Sequence, residues 1–568
     1  MPILLRNLRL ELDEPEDNLL QSIARKLGVP IEAVRAYAVT HRSIDARRKD
    51  DIHRRYQVEL ALNESSKQER ARLKRLRSNE AAWIEERKDA TPTPGQQPLQ
   101  GRPVVIGFGP GGMFAAYRLA QMGYRPLVLE RGRDVRRRHR DVLHRFYRLH
   151  EFDPTSNLLF GEGGAGTYSD GKLHTRIHDP LSRQVLEVFY QHGAAPDILI
   201  DAHPHIGSDK LPTICTRIRK KIESLGGDVH FECQMDDIRV VEEQLQAIHL
   251  TGPDVDGPDQ WMPEWMPVGP VILAVGHSAR DTIRMLHARG VHLDPKPFQL
   301  GVRIEHPQSL VDTWQYGSCA GQATLGPAEY FVVAKEAASE FGDVFSFCMC
   351  PGGQILPTNE SAGEIATNGA SRAHRSSPFA NAGLVLTLDP TAESFRRAVG
   401  HRRTVSNTVP DSLDHPALFA LAFLESLEHR AFAMTDRTYR VPTQRAIDFL
   451  ALRPSEGDCL TSYPLGSQWI SLPDFLPDMV IAGLHQSLPI LNSKMPGFAG
   501  AEALLTAPET RASSPIRITR DPDSRQSSNV ANLYPVGEGA GYAGGIVSAA
   551  VDGIRTADAI IRLYAPIR

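Results

Sequence analysis

Val104-Val-Ile-Gly107-Phe-Gly109-Pro110-Gly111-Gly112 decides how this chain is read. Three apolar residues, glycines spaced Gly-x-Gly-x-x-Gly and the helix-favouring stretch Met113 to Gln121 spell a strand, a tight turn and a helix. Gly107 permits the turn, Gly109 lets backbone approach a phosphate, and Gly112 lets helix and strand pack closely. Ala116, Leu119 and Gly123 continue at the spacing of a helix laid on a sheet and closed by glycine. Leu127-Val-Leu129 reads as the next strand. Glu130 ends it, 18 positions after Gly112, where an adenosine ribose needs an acceptor. Strand, turn, helix and acid together describe a dinucleotide site, with the pyrophosphate on the N–H groups of a helix N-terminus.

A second glycine-rich turn, Gly537-Glu538-Gly-Ala-Gly-Tyr-Ala-Gly-Gly545, follows Leu533-Tyr-Pro-Val536 and opens another helix, from about Ile546 to Leu563. Apolar residues at Ile546, Ala550, Ile554, Ala557 and Ile561 give that helix a packed face. A nicotinamide dehydrogenase of simple design has no use for a second turn. FAD does, with its pyrophosphate at the first helix and its ribityl chain and isoalloxazine reaching toward the second. The partial positive charge of the last helix would then stabilise the reduced ring. Glu130 speaks against a 2′-phosphate, although Arg131 and the run Arg136-Arg-Arg138 weaken that argument.

The chain of 568 residues is too long for one core. The expected fold class is α/β: a discontinuous Rossmann-like FAD-binding domain, an inserted mixed α/β substrate domain and a small N-terminal α+β domain. Residues 1–95 are assigned to the N-terminal domain with its charged helix and linker. Residues 96–290 and 506–568 form the two parts of the FAD-binding domain, and 291–505 the insertion. Within the first unit, Ile3 to Leu12 alternates like a strand and Glu16 to Leu27 has helical spacing, ended by Gly28. Val34 to Ile44 and Arg55 to Leu62 read as extended, Glu64 to Lys88 as helix-favouring, and Thr91 to Pro98 as a linker. Residues 252 to 268 read as a loop before the strand Val271 to Val275.

Hydrophobic content of 41%, charged content of 23% and a net charge of −4 are those of an ordinary globular protein, with no electrostatic case for membrane or nucleic acid. No apolar run is long enough to span a bilayer, and Met1 to Asp17 has no secretory core. Six cysteines are too sparse for a disulfide scaffold and lack metal-ligand spacing, so no metal is expected and a reducing cytoplasm is the expected setting. The N-terminal region is locally basic (Arg42, Arg47, Arg48, Lys49, Arg54, Arg55), a solvated face or a contact for RNA or protein.

Val104 to Gly132 resembles the FAD fingerprint of the glutathione-reductase-type flavoproteins. With Asn157 to Leu173, Ala274 to Asp281 and Tyr534 to Gly553, nearly the whole chain resembles the bacterial family of uncharacterised FAD-dependent dehydrogenases. The resemblance implies bound FAD and a discontinuous FAD domain, and no known substrate. It also implies that Gly163, Gly164 and Gly166 run along the cofactor and that Gly276 belongs to a third FAD-domain motif. Glu538 stands where the broader superfamily carries an aspartate on the ribityl chain. The cofactor-binding set is therefore Gly107, Gly109, Pro110, Gly111, Gly112, Glu130, Arg131, Gly163, Gly164, Gly166, Gly276, Gly537, Glu538, Gly545 and Ile546.

Candidates for catalysis are Lys172, Arg303 and His306. Lys172, followed by His174, would place a cation near the flavin; capping a helix or meeting solvent is the alternative. Arg303 and Glu305 share a strand face ended by His306, which suits an arginine gripping a carboxylate and a histidine donating a proton; a salt-bridged strand surface explains the same residues. Cys348-Met-Cys350 could pass electrons between flavin and a disulfide, but packing beside the flavin is the preferred reading. The segment Glu509 to Pro515 is a hinge or part of the site. The expected function is hydride transfer between flavin N5 and a small-molecule substrate, with transient NAD(P)H as one source of electrons. An RNA-modifying flavoenzyme and a flavin-binding redox sensor or scaffold remain open.

Overall fold

The computed structural model describes residues 2–74, 76, 79–84, 91–175, 177–253, 262–335, 342–400 and 415–567. Parallel and antiparallel sheets coexist in a mixed α/β architecture. The N-terminal unit is a four-stranded antiparallel sheet in the order Val34–Asp45, His53–Leu62, Ile3–Leu10, Ala81–Trp83. The helix Leu19–Leu27 lays Leu19, Ile23 and Leu27 on this sheet against Ile3, Leu5, Val58 and Leu60. Gly28 closes the helix at φ 63°, the left-handed conformation that glycine adopts without cost.

Two local expectations change. The charged stretch 64–88 is helical only over Ser66–Leu73, because Ala81–Trp83 pairs with Ile3–Leu10 as the edge strand of the sheet; residues 75, 77, 78 and 85–88 lie outside the described residues. Within 252–268, Trp265–Pro267 is a strand paired with Gln244–Thr251, while 254–261 lie outside the described residues. The stretch 91–98 is extended chain tied to the last helix. Gly95 N–H donates to the Ile561 carbonyl at 2.8 Å, and a Cβ at Gly95 would stand 2.3 Å from the Leu563 carbonyl oxygen.

Five parallel strands stand in the order Leu533–Pro535, Val271–Leu273, Val104–Ile106, Leu127–Leu129, Asp228–His230. All but the last are buried along their whole length, which is why they read as short continuous apolar runs instead of alternating ones. The helices Pro110–Gln121 and Ile546–Leu563 pack against each other on one face. A Cβ at Gly553 would lie 2.0 Å from the Gly111 carbonyl oxygen, so glycine is what lets the two backbones touch.

Between Leu293–Pro295 and Ile516–Ile518, which pair antiparallel, the chain builds a seven-stranded sheet. At its centre Phe298–Pro307 pairs with Phe379–Leu388 on one side and Leu504–Glu509 on the other. The helices Pro416–Met434 and Asp478–Lys494 cover it and complete the largest core of the molecule. In the strand Val344–Cys350 the pairing is interrupted between Phe347 and Cys350, and Cys348 stands at φ 44°. The N-terminal sheet is attached by Arg42. Its N–H donates to the Ile200 carbonyl, its carbonyl accepts from Ala202 N–H, and its guanidinium meets Asp201 at 2.8 Å and Asp197 at 3.1 Å.

Candidate functional site

The carboxyl ends of the parallel strands open into a cavity of about 1080 Å³, where ligands of open α/β sheets sit. Its floor is Ile106–Gly107, Leu129–Arg131, Ala274–Ser278 and Val536–Glu538, and its far wall is Phe345–Met349 from the large sheet with Asn368 from the neighbouring two-stranded sheet. The first turn is built by contact. Gly107, at φ 94°, donates to the Leu129 carbonyl, and a Cβ there would meet the Ala274 carbonyl oxygen at 2.5 Å. A Cβ at Gly112 would lie 2.0 Å from the Gly107 carbonyl oxygen. Gly109, Pro110 and Gly111 line the cavity at the helix N-terminus; Gly112 does not, and serves the turn alone.

Glu130 is buried on the cavity wall. Its carboxylate accepts from Phe108 N–H at 2.8 Å and from the Gly132 and Gly161 N–H groups at 2.9 Å each. Three donors fix its orientation, and the oxygen facing Phe108 keeps a lone pair for a ligand hydroxyl. Arg131 lines the cavity with its charge already matched by Asp281 at 3.0 Å. Arg138, from the basic run, is wholly buried and donates to the Asn157 and Glu162 carbonyls, so it helps build the 157–166 loop and holds no phosphate. In that loop Gly164 and Gly166 line the cavity; Gly163 lies behind, its N–H donating to Phe108.

The second turn lies on the same floor. Gly276, Gly537, Glu538, Gly545 and Ile546 all line the cavity. A Cβ at Gly539 would stand 2.3 Å from the Gly276 carbonyl oxygen, so these two turns are in backbone contact. Around Gly276 and Gly544 nothing lies within 4 Å of where a Cβ would be; bare backbone faces the cavity there. Glu538 reaches His277 Nδ1 at 3.6 Å. Asp552, which sequence reasoning passed over, pins this turn. Its carboxylate accepts from Gly537 N–H at 2.8 Å and from Arg520 at 2.7 and 2.9 Å, and also pairs with Arg525.

The three catalytic candidates part company. Lys172 lines the cavity, ion-paired to Asp170, with its ammonium 3.5 Å from Cys350 Sγ and 3.9 Å from Cys348 Sγ. Despite its burial, those anionic neighbours hold its pKa above the usual lysine range. Arg303 is buried and does not line the cavity. It donates to Glu509 at 3.0 Å and to the Cys348 carbonyl at 2.8 Å, so it buttresses the wall and is not free to grip a substrate. His306 must also be withdrawn as a proton donor. It lies inside a cage of Trp314, Tyr330 and Phe498, bonded to the Phe498 carbonyl, and burial pushes its pKa down to about 4. It does not line the cavity.

Residues not singled out from the sequence complete the rim. His203 pairs with Glu329 and stacks on His174 at 5.2 Å, all three on the cavity. Arg511, from the segment 509–515, lines it too, anchored in a buried network. Its guanidinium meets Glu360 at 2.8 Å and Glu428 at 3.0 Å, and Arg280 clasps both oxygens of Glu428 at 2.9 and 3.0 Å. No local pattern signals such a network, because its members lie up to 231 positions apart, Arg280 to Arg511. In the N-terminal unit Arg42, Arg47, Arg48, Arg54 and Arg55 are all paired within the chain.

Residues 297–512 match the family "FAD-dependent protein, C-terminal domain-like", and residues 2–61 match a domain of unknown function. An uncharacterized protein of Clostridium beijerinckii is 36% identical over 566 residues, covering 99% of both chains. Residues 297–512 thus carry a domain of an FAD-dependent family. The chain belongs to the family of that clostridial protein. Among solved structures, L-amino acid deaminase from Proteus vulgaris is 11% identical, covering 86% of this chain and 98% of its own, with a TM-score of 0.35. Glycine oxidase from Geobacillus kaustophilus is 10% identical, covering 82% and 95%, with a TM-score of 0.33. Transient NAD(P)H gains no support from these comparisons. Among the described residues no helix is long and apolar enough to cross a membrane.

Proposed function

We propose that the chain is a flavoprotein oxidoreductase in which one FAD lies along the cavity floor and a small molecule is oxidised or reduced at the far wall. The observation that carries this reading is that both glycine turns, and the N-termini of both following helices, open on one cavity. The residues fit the group: bare backbone at Gly109, Gly276, Gly544 and Gly545 gives close approach, and orphan N–H groups at Gly111 and at Ile546–Ser548 suit a pyrophosphate and an electron-rich ring. Bound FAD supplies two-electron hydride chemistry there. Glu130 would take the adenosine ribose, Glu538 the ribityl chain, and Lys172 would offer positive charge where the reduced ring gains negative charge. Residues 96–290 and 506–568 then form the two parts of a discontinuous FAD-binding domain, with 291–505 the substrate domain and 1–95 an accessory domain.

The test is direct. Purified protein, denatured in acid, should release FAD in about one-to-one ratio with the chain. The bound flavin should bleach anaerobically with dithionite and with a member of a metabolite panel that includes amino acids. Protein that neither retains FAD nor takes it up on reconstitution refutes the cofactor. Flavin that dithionite bleaches but no metabolite can reduce or reoxidise refutes the oxidoreductase and leaves a structural flavin. The RNA reading is not favoured, since Arg42, Arg47, Arg48 and Arg55, four of the six basic residues it relies on, already meet carboxylates of the chain.

A further inference from the structure

The far wall carries two thiols whose setting is hard to explain as packing. Cys348 lines the cavity at φ 44°, a left-handed conformation costing a non-glycine residue of order 1–3 kcal/mol. It stands where the strand pairing is interrupted. That break disturbs strict alternation along Val344–Cys350 and leaves both sulphurs within 4 Å of one ammonium, Lys172 Nζ at 3.9 and 3.5 Å. The Cys350 thiol donates toward the Cys348 carbonyl at 3.3 Å and lies within hydrogen-bond reach of the Cys348 sulphur. Around them Lys172, Arg375 and Arg303 face the carboxylates Asp170 and Glu509. Lys172 and Arg303 supply the positive charge nearest the two sulphurs.

We propose that Cys348 and Cys350 form a reversible dithiol on the cavity wall, with Cys348 the attacking thiolate, which reduces a low-molecular-weight disulfide. The Cys348 thiolate attacks one sulphur of the disulfide, the substrate S–S bond breaks, and the first half leaves as a thiolate. Cys350 gives up its proton and attacks the Cys348 sulphur. The mixed S–S bond breaks and the second thiol leaves, carrying that proton. Two electrons have passed from the protein thiols to the substrate, and a Cys348–Cys350 disulfide remains. Such a bond between residues two apart spans about 6.6 Å in a regular strand, near the upper end of the ~4.4–6.8 Å that disulfides tolerate. It would be labile, as a bond that must be broken in each cycle has to be. The electron pair that restores the dithiol comes from reduced flavin, the one point at which this inference rests on the reading above.

The thiols are in the environment that chemistry needs. The hydrogen bond from Cys350, with Lys172 and Arg303 working against burial, brings the Cys348 pKa down to about 5. The same bond and burial hold Cys350 well above the ordinary thiol value. One sulphur attacks and the other resolves.

Incubation of the intact protein with hydroxyethyl disulfide at pH 7, quenched with acid and mapped by alkylation and mass spectrometry, tests this. Wild type should gain a Cys348–Cys350 disulfide. Cys350→Ser should stop at a mixed disulfide on Cys348, and Lys172→Met should slow the reaction about tenfold. Should the variants misfold, wild type alone suffices, because Cys348 must react faster than Cys319 and Cys459, which are comparably accessible. A Cys348 no faster than those two, or one that stops at the mixed disulfide in wild type, overturns the proposal. FAD content measured on the same sample separates the two readings. A reactive dithiol without flavin sinks the cofactor assignment alone; flavin without a reactive dithiol sinks this inference alone.

Discussion

Replacing Asp552 by asparagine removes a charge from the second glycine turn while keeping the shape of the side chain. In the folded protein its carboxylate holds Arg520 through two bonds, pairs with Arg525 and accepts from Gly537 N–H. The acid is 10% exposed, Arg520 6% and Arg525 12%. Removing one partner of a buried pair costs about 3–5 kcal/mol, mostly from charge left behind. Here the lower end applies. Arg520 keeps the Pro535 carbonyl at 2.6 Å and the Tyr542 ring at 3.7 Å, and Arg525 keeps Thr556 Oγ1 at 2.7 Å. The expected loss is about 3 kcal/mol in urea-induced unfolding of the flavin-free protein. If the turn also holds the cofactor, FAD should bind at least about tenfold more weakly, a separate loss of about 1.4 kcal/mol in binding. A change under about 1 kcal/mol would show that these three donors do not depend on the carboxylate, and unaltered FAD affinity would remove the turn from the cofactor site.

Gly553→Ala puts a methyl 2.0 Å from the Gly111 carbonyl oxygen, so the two helices must part; a loss of about 1–3 kcal/mol with reduced FAD retention is expected, and wild-type behaviour in both would contradict the close packing. Burial, helped by the charge of Glu428 and opposed by Arg511 and Arg280, raises the Glu364 pKa to about 7. A carboxyl raised on folding contributes stability that is complete below its unfolded value near 4.5 and disappears as the pH climbs through about 7. Wild type should therefore lose stability relative to Glu364→Gln between pH 5 and pH 8, read as urea midpoints; a constant difference across that range would refute it.

What the sequence made legible is local. The turn at 107–112 has its strand, helix and acid within thirty residues, so Gly107, Gly109, Gly112 and Glu130 could be assigned tasks from spacing alone. The mixed α/β class followed from the same run. Asp552, Arg511 and Glu428 could not be found that way, since each matters through partners brought up by tertiary structure. The strand Phe298–Pro307 shows the opposite error. Arg303, Glu305 and His306 looked like a reactive face, yet that strand is the centre of a seven-stranded sheet with almost every side chain covered. A polar residue on a central strand has to find its partners internally, and each of these has one, in Glu509, Ser462 and the Phe498 carbonyl. The place of Cys348 on the cavity was out of reach for a related reason: the interrupted pairing in its strand is a property of pairing, not of the Cys-Met-Cys string.

The pairing of Leu533–Pro535 with Val271–Leu273, and of the last helix with the first, has a consequence for how the protein is made. A ribosome adding roughly 5–20 residues per second delivers the turn at residue 107 on the order of a minute before the turn at 537. From its own synthesis until then the Val271–Leu273 edge of the parallel sheet lacks its last neighbour, and the apolar face of Pro110–Gln121 lacks its covering helix. The large sheet can complete its own core first, since all its strands are synthesised by residue 509. Completion of the nucleotide sheet is therefore a terminal event, and a nascent chain stopped short of residue 533 would expose a sticky strand edge for chaperones to shield.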